Sequence, residues 1–164
     1  QKDRLKDTPV ASSSEIEALR RQAKSDLPQR LAELASRYGF TYNKVTIKHN
    51  SSNWGSCSTR NNINLNLNIV RLPSVLRDYV LLHELCHLKH HDHGHAFHLL
   101  LEHVLTDNIM KYLDPVCQTP GLSPESSSES RELASIIARK AAASKAKYPV
   151  DYTFTREIRR YRLL

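Results

Sequence analysis

A chain of 164 residues can build one domain with its own core, or a small domain with an appendage, and is too short for two full-sized ones. Its 40% apolar and 25% charged content suits a globular protein, and no apolar run approaches the ~20 residues of a membrane-spanning helix. The net charge of +7 is uneven, because residues 125–164 carry nine Lys/Arg against five Asp/Glu.

The opening QKDRLKD lacks an initiator Met and the charged-then-apolar pattern of a signal segment, so the chain is expected to be processed or a piece of something longer. Cys57, Cys86 and Cys117 cannot all pair, and a chain of this size does not require disulfides. A reducing, cytoplasmic setting is the expectation. All the histidines except His49 fall between His83 and His103, which points to a local task.

Residues 1–12 read as a flexible lead. Ser14 with Glu17 matches a capping box, and Ile16, Leu19, Ala23, Leu27, Leu31, Leu34 and Tyr38 recur at helical spacing. Pro28 predicts a kink or two abutting helices, and Gly39 a stop. Val45 and Ile47 suggest a short strand, and a second is expected around residues 53–57. Thr59 to Asn62 supplies turn chemistry. Ile63, Leu65, Leu67 and Ile69 then alternate with Asn62, Asn64, Asn66 and Asn68, giving one apolar face and one amide face. An antiparallel hairpin meander is the natural assembly.

Pro73 suits a helix start, followed by Val75, Leu76, Tyr79, Leu82 and Cys86 at helical intervals. After a break at Asp92-His93-Gly94, a further helix is predicted from His95 to about Leu113, closed by Asp114-Pro115. The reading is thus a domain over 13–114, a Ser/Pro-rich linker over 115–130, and a basic segment over 131–164. That segment should hold a helix near 131–147 and an extended piece at Tyr152-Thr153-Phe154. The class is α+β, a small antiparallel or mixed sheet packed on the central helix and flanking helices.

Chemistry concentrates in His83-Glu84-Leu85-Cys86-His87. Two histidines four apart on a helix sit about 5–6 Å apart at Cβ, close enough to reach one ion at about 2.0–2.1 Å. Glu84 stands beside them as the base for a water that zinc acidifies toward a pKa of about 7. Cys86 points off the histidine face and reads as a small core residue. Catalytic zinc usually takes a third protein ligand, for which His90, His91, His93, His95, His98 and Glu102 are candidates. His93 is preferred, provided the helix ends before it, and Glu102 is its main competitor. His95, His98 and Glu102 form a polar stripe that either faces the cleft, as oxyanion or ligand-supporting groups, or is an exposed face.

Four ordered motifs complete the picture: Trp54-Gly55-Ser56-Cys57-Ser58, Asn62-Ile63-Asn64-Leu65-Asn66, Asp78-Tyr79-Val80 leading into His83 to Leu88, and Asp92-His93-Gly94 followed by Phe97. Over roughly Ser14 to His103 the chain resembles the YgjP-like metallopeptidase domain, a family similar to the SprT-like zinc proteases. The resemblance implies a minimal zincin-like fold, a single Zn²⁺ held by His83, His87 and His93, and Glu84 as the catalytic group. Asp92 and Gly94 stand where the family has Asn and Ser, and residues 115–164 fall outside the likeness.

A zincin of this kind would pair extended substrate with a strand over the metal, a task the 62–69 strand, and Asn64 on it, could perform. Trp54 reads as a packing anchor under the hairpin. The expected function is a zinc-dependent peptidase acting on a peptide or protein, with no membrane partner. Two alternatives remain: a DNA-associated SprT-like protease or recruitment module using the basic tail on nucleic acid, and a zinc-binding scaffold without catalysis.

Overall fold

The structure is a computed structural model that describes residues 12–115 and 124–164. Nearly all of the expected N-terminal lead, half of the expected linker and Cys117 lie outside the described residues.

Helix α1 (Ser13–Tyr38) starts two residues earlier than the capping-box reading placed it. Ser12 is the N-cap, its Oγ accepting from the Glu15 amide while donating to the Glu15 carboxylate. The sequence carries two overlapping cap signals, and the earlier one starts the helix. Pro28 sits inside α1 without dividing it. Gly39 adopts φ 74°, the left-handed conformation that closes a helix with least strain in glycine.

Three strands follow: β1 (Lys44–Lys48), β2 (Gly55–Cys57) and β3 (Asn62–Asn66), in spatial order β1-β3-β2. β2 and β3 form the predicted antiparallel hairpin, through a turn in which Asn61 takes φ 65°. β1 pairs parallel to β3, so the sheet is mixed, not a meander. β3 is the strand whose inward residues, Ile63 and Leu65, are wholly buried, so it takes the centre and leaves both edges to strands with shallower faces.

β3 also stops at Asn66, short of the predicted Ile69. The Asn66 side chain accepts from the Asn68 amide and starts a 3-10 turn over Leu67–Arg71. The amide face is not a solvent face at its end. Asn66 and Asn68 are buried, and Asn66 Nδ2 donates to the Asn50 and Asn53 carbonyls. A side chain with both donors and acceptors is thereby spent on tethering the loop before β2.

Helix α2 (Ser74–His87) begins after Pro73 as expected, and α3 (His95–Leu113) has the predicted bounds. A 3-10 turn (Pro124–Ser126) leads to α4 (Ser128–Ala143) and α5 (Pro149–Ile158). Residues 152–154 are therefore helical, not extended. Pro149 opens α5, and Asp151, Phe154 and Ile158 recur on its buried face at helical spacing. Ala134 and Ile137 of α4, with Phe154 and Ile158 of α5, join one core cluster with α1, α2, α3 and the sheet. The basic segment thus packs on the rest of the fold. Among the described residues, no helix is long and apolar enough to cross a membrane.

A buried polar knot ties these helices together. Asp78 of α2 accepts both arms of Arg30 from α1, at 2.9 and 2.7 Å, and Asn108 Nδ2 and Tyr112 Oη from α3 at 2.9 and 2.7 Å. Glu125, inside the stretch expected to be linker, joins Arg30 and Arg37 at 2.9 and 3.0 Å. Burial alone would raise the Glu125 carboxyl, but the Arg30 charge and hydrogen bond, helped by Arg37, hold it down to about 2. A depressed carboxyl stabilises the fold above its unfolded value near 4.5, and that stability is lost as pH falls toward 2. Glu125→Gln should therefore destabilise at neutral pH and flatten the acid limb of a urea-denaturation series between those values. Asp78→Ala, which removes the two-pronged partner of buried Arg30 and the acceptor of Asn108 and Tyr112, should cost about 3–5 kcal/mol in the same assay.

Candidate metal centre

α2 places His83 and His87 one turn apart, and the helix ends at His87, with Leu88 as its C-cap and the turn toward α3 following at once. The break is what brings His93 back. On a continued helix it would sit about 240° away from His87. Here the ligand atoms of His83, His87 and His93 all lie within 4.8 Å of one another, and the Nε2 atoms of His87 and His93 are 3.0 Å apart. Two nitrogens on one tetrahedral ion at 2.0–2.1 Å would stand about 3.3 Å apart. The donor set fits a zinc-like ion.

Each imidazole is held for that purpose. His87 Nδ1 lies 3.0 Å from the His90 carbonyl, which can only accept, so the proton sits on Nδ1 and Nε2 is left as a ligand. Burial depresses the His87 pKa, outweighing the upward pull of the His90 carbonyl and Glu84, while His83 and His93 push it down as burial does. The neutral, metal-binding form is the favoured one. Phe97, wholly buried, is a common floor: its ring centroid lies 4.3 Å from that of His87, stacked, and 5.1 and 5.0 Å edge-on from His83 and His93. Asp92 accepts from the Gly94 amide at 3.0 Å, shaping the turn that carries His93.

Glu84 is 5% exposed, its Oε2 3.3 Å from His83 Nδ1. It lies against β2. A Cβ placed on Gly55 would come within 3.1 Å of Glu84 Cγ and 3.2 Å of Oε2, and within 3.1 Å of the Asn64 carbonyl. The glycine of the Trp-Gly-Ser-Cys motif is thus the space the carboxylate occupies. Burial, then Glu84, push the neighbouring Cys57 thiol up to about 11, so it stays protonated and unreactive at neutral pH.

The remaining expected site residues have other partners. Glu102 accepts from the backbone amides of Val150 and Asp151, both at 2.9 Å, and so caps α5. His98 Nδ1 donates to Asp151 at 2.9 Å and its ring stacks on Tyr148; His95 Nδ1 meets the Tyr148 hydroxyl. The stripe docks α5 onto α3. Asn64 Nδ2 reaches Ser56 Oγ at 3.2 Å across the hairpin. The central β3 has both edges paired, so among the described residues the unpaired edge beside Glu84 belongs to β2. Cys86 is buried in the core.

Sequence reasoning had no role for Asn66, Tyr148, Asp151 or Ile158. Pro149 with Asp151 two residues on is a helix-start signal that was available. The others depend on contacts 13 to 96 residues apart in sequence, beyond any local pattern.

An α+β domain with two histidines and a buried carboxylate on one helix, and a third histidine returning from the loop that follows, has the donor set to hold a metal ion. The YgjP-like metallopeptidase domain profile matches residues 5–111, and the chain belongs to that family. No curated protein and no solved structure gives a significant match.

Gly55→Ala should leave zinc affinity within about twofold in a chelator competition yet displace the Glu84 carboxylate, which a structure of the variant would show. His93→Ala should lower zinc affinity by at least about tenfold in a chelator competition; unchanged affinity would move the third ligand elsewhere.

Proposed function

We propose that the protein is a zinc-dependent peptidase whose base is Glu84. The observation that carries this reading is the buried Glu84 carboxylate, held by Gly55 beside three histidines that converge on one point. Zinc bound by His83, His87 and His93 would supply a Lewis acid that acidifies water and polarises a carbonyl. Glu84 takes the water proton on a carboxylate oxygen and passes it to the leaving amine.

The unpaired edge of β2 next to Glu84 would present backbone N–H and C=O groups to an extended peptide, aligning the scissile bond. The family, named for metallopeptidase domains, agrees with this substrate class. Glu84→Gln should bind zinc normally and lose peptide hydrolysis by about three orders of magnitude or more; activity retained in that variant would refute the mechanism.

A second reading, contact with nucleic acid through residues 131–164, has its own support. Three of the five acids in residues 125–164, Glu125, Asp151 and Glu157, are buried and paired. Arg139, Lys140, Lys145, Lys147, Arg156, Arg159 and Arg160 remain exposed, and Tyr152 beside Arg156 offers an exposed ring. Lys140 and Arg160 pair with Glu157, so of these seven Arg139, Lys145, Lys147, Arg156 and Arg159 carry the exposed positive charge of the segment. Binding to single-stranded DNA should weaken linearly with log salt, with Arg156→Ala and Arg159→Ala each lowering the slope by about one unit. A salt-independent interaction, or none, would exclude this reading.

A further inference from the structure

Beside His83 and Glu84 lies a cleft of about 310 Å³, lined also by Trp54, Tyr79, Val80 and Ile158, with Ser52, Asn53 and Gly55 at the strand side. The cleft is close to the lower end of the range for small-ligand sites, about 300–1,000 Å³. Its walls come from three places in the chain. Trp54 stands at the start of the free edge strand, Tyr79 and Val80 lie one turn before His83 on α2, and Ile158 ends α5, well outside the family-matched residues 5–111.

The wall is mainly apolar, Ser52 and Asn53 being its neutral polar members. The Tyr79 hydroxyl is engaged by Thr155 at 3.0 Å and by Asp151 at 3.4 Å, and its ring is stacked on Phe154 at 5.1 Å. What Tyr79 offers the cleft is hydrocarbon. Glu84 is the one charged side chain among the lining residues, with neither Lys nor Arg among them. A charged side chain placed there would lose water without gaining a counter-ion, apart from a cation that would compete for Glu84. An apolar one would gain by burial.

The contacts that hold Ile158 in place are specific. Glu102 caps α5, His98 bonds Asp151, and beyond α5 the Leu164 amide donates to Asn68 at 3.0 Å while Arg71 donates to the Arg162 carbonyl at 2.5 Å. On the opposite side, Asn66 fixes the Trp54 end by donating to the Asn53 carbonyl and by accepting, through Asn68, the same tail. Both walls are fastened to the one asparagine pair.

From these observations, and resting on the peptidase reading, we infer that this cleft is the specificity pocket, receiving an aliphatic or aromatic side chain of the peptide adjacent to the cleaved bond. Residue 158, supplied by the segment outside the family-matched residues, helps set that preference. The substrate class is a peptide with Leu, Ile or Phe beside the scissile amide. Acidic and basic side chains are disfavoured there.

Trp54 is the single tryptophan of the chain, so its emission reports occupancy of the pocket without any turnover. Blocked acetyl-Gly-X-Ala amides with X as Leu, Phe, Asp or Lys would be titrated into the full-length, zinc-loaded Glu84→Gln chain. The Leu and Phe peptides should bind at least about tenfold more tightly than the Asp and Lys peptides and shift Trp54 emission. Ile158→Ala should cost the Leu peptide about fivefold or more and spare the charged ones. Equal affinity across the four, no binding by any, or binding that leaves Trp54 emission unmoved would overturn the pocket, and these results do not depend on the Ile158 variant folding. The unsubstituted chain separates the two ideas: selective binding without cleavage would refute the peptidase and keep the pocket, while cleavage indifferent to X would do the reverse.

Discussion

The buried carboxylate of Asp78 is the constraint on which the rest of the molecule turns. It lies on the metal helix, five residues before His83, and its oxygens take hydrogen bonds from Arg30 of α1 and from Asn108 and Tyr112 of α3. A charge removed from water is tolerable only when it is fully paired, so these three helices have little freedom to shift against one another. The consequence reaches the site directly. α2 carries His83, Glu84 and His87, and α3 carries Phe97, the floor beneath all three imidazoles. Asp78 holds together the two elements whose relative position defines the donor set.

The same logic recurs in a gentler form at the sheet. Asn66 and Asn68 use side-chain amides where a strand would use backbone, and so connect the loop ahead of β2, the end of β3 and the last residues of the chain. Neutral amides cost less to bury than charges and satisfy donors and acceptors together. Gly55 then completes the arrangement by being absent as a side chain: the space it leaves is filled by Glu84. Metal helix, edge strand and C-terminal helix therefore meet at one cleft through three different devices, an ion-paired knot, an asparagine pair and a glycine gap.

The polar stripe of α3 is where role and residue type part company. His95, His98 and Glu102 have the chemistry of ligands and proton carriers, yet the fold spends them on Tyr148, Asp151 and the first amides of α5. A carboxylate at a helix N-terminus is stabilised by the unpaired amides there, which outcompete a distant ion. The stripe acts at one remove, by seating the helix whose Ile158 walls the cleft.

The histidine pair, the glutamate beside it, the break that frees His93 and the bounds of α3 were all legible in the sequence, because each rests on spacing within a single element or turn. The parallel pairing of β1, the early end of β3, the helicity of residues 149–158 and the true duties of Glu102, His98 and Asn66 were not. These depend on which groups meet after folding, across 13 to 96 residues of chain, where hydrogen bonds satisfied at a distance override local propensity. The sequence by itself determined that two histidines and a carboxylate share one helix and that a third histidine can return to them from the loop that follows. Only the tertiary structure decided which strand edge lies beside the base, and which residues, one of them 74 positions after Glu84, form the wall against which a substrate would rest.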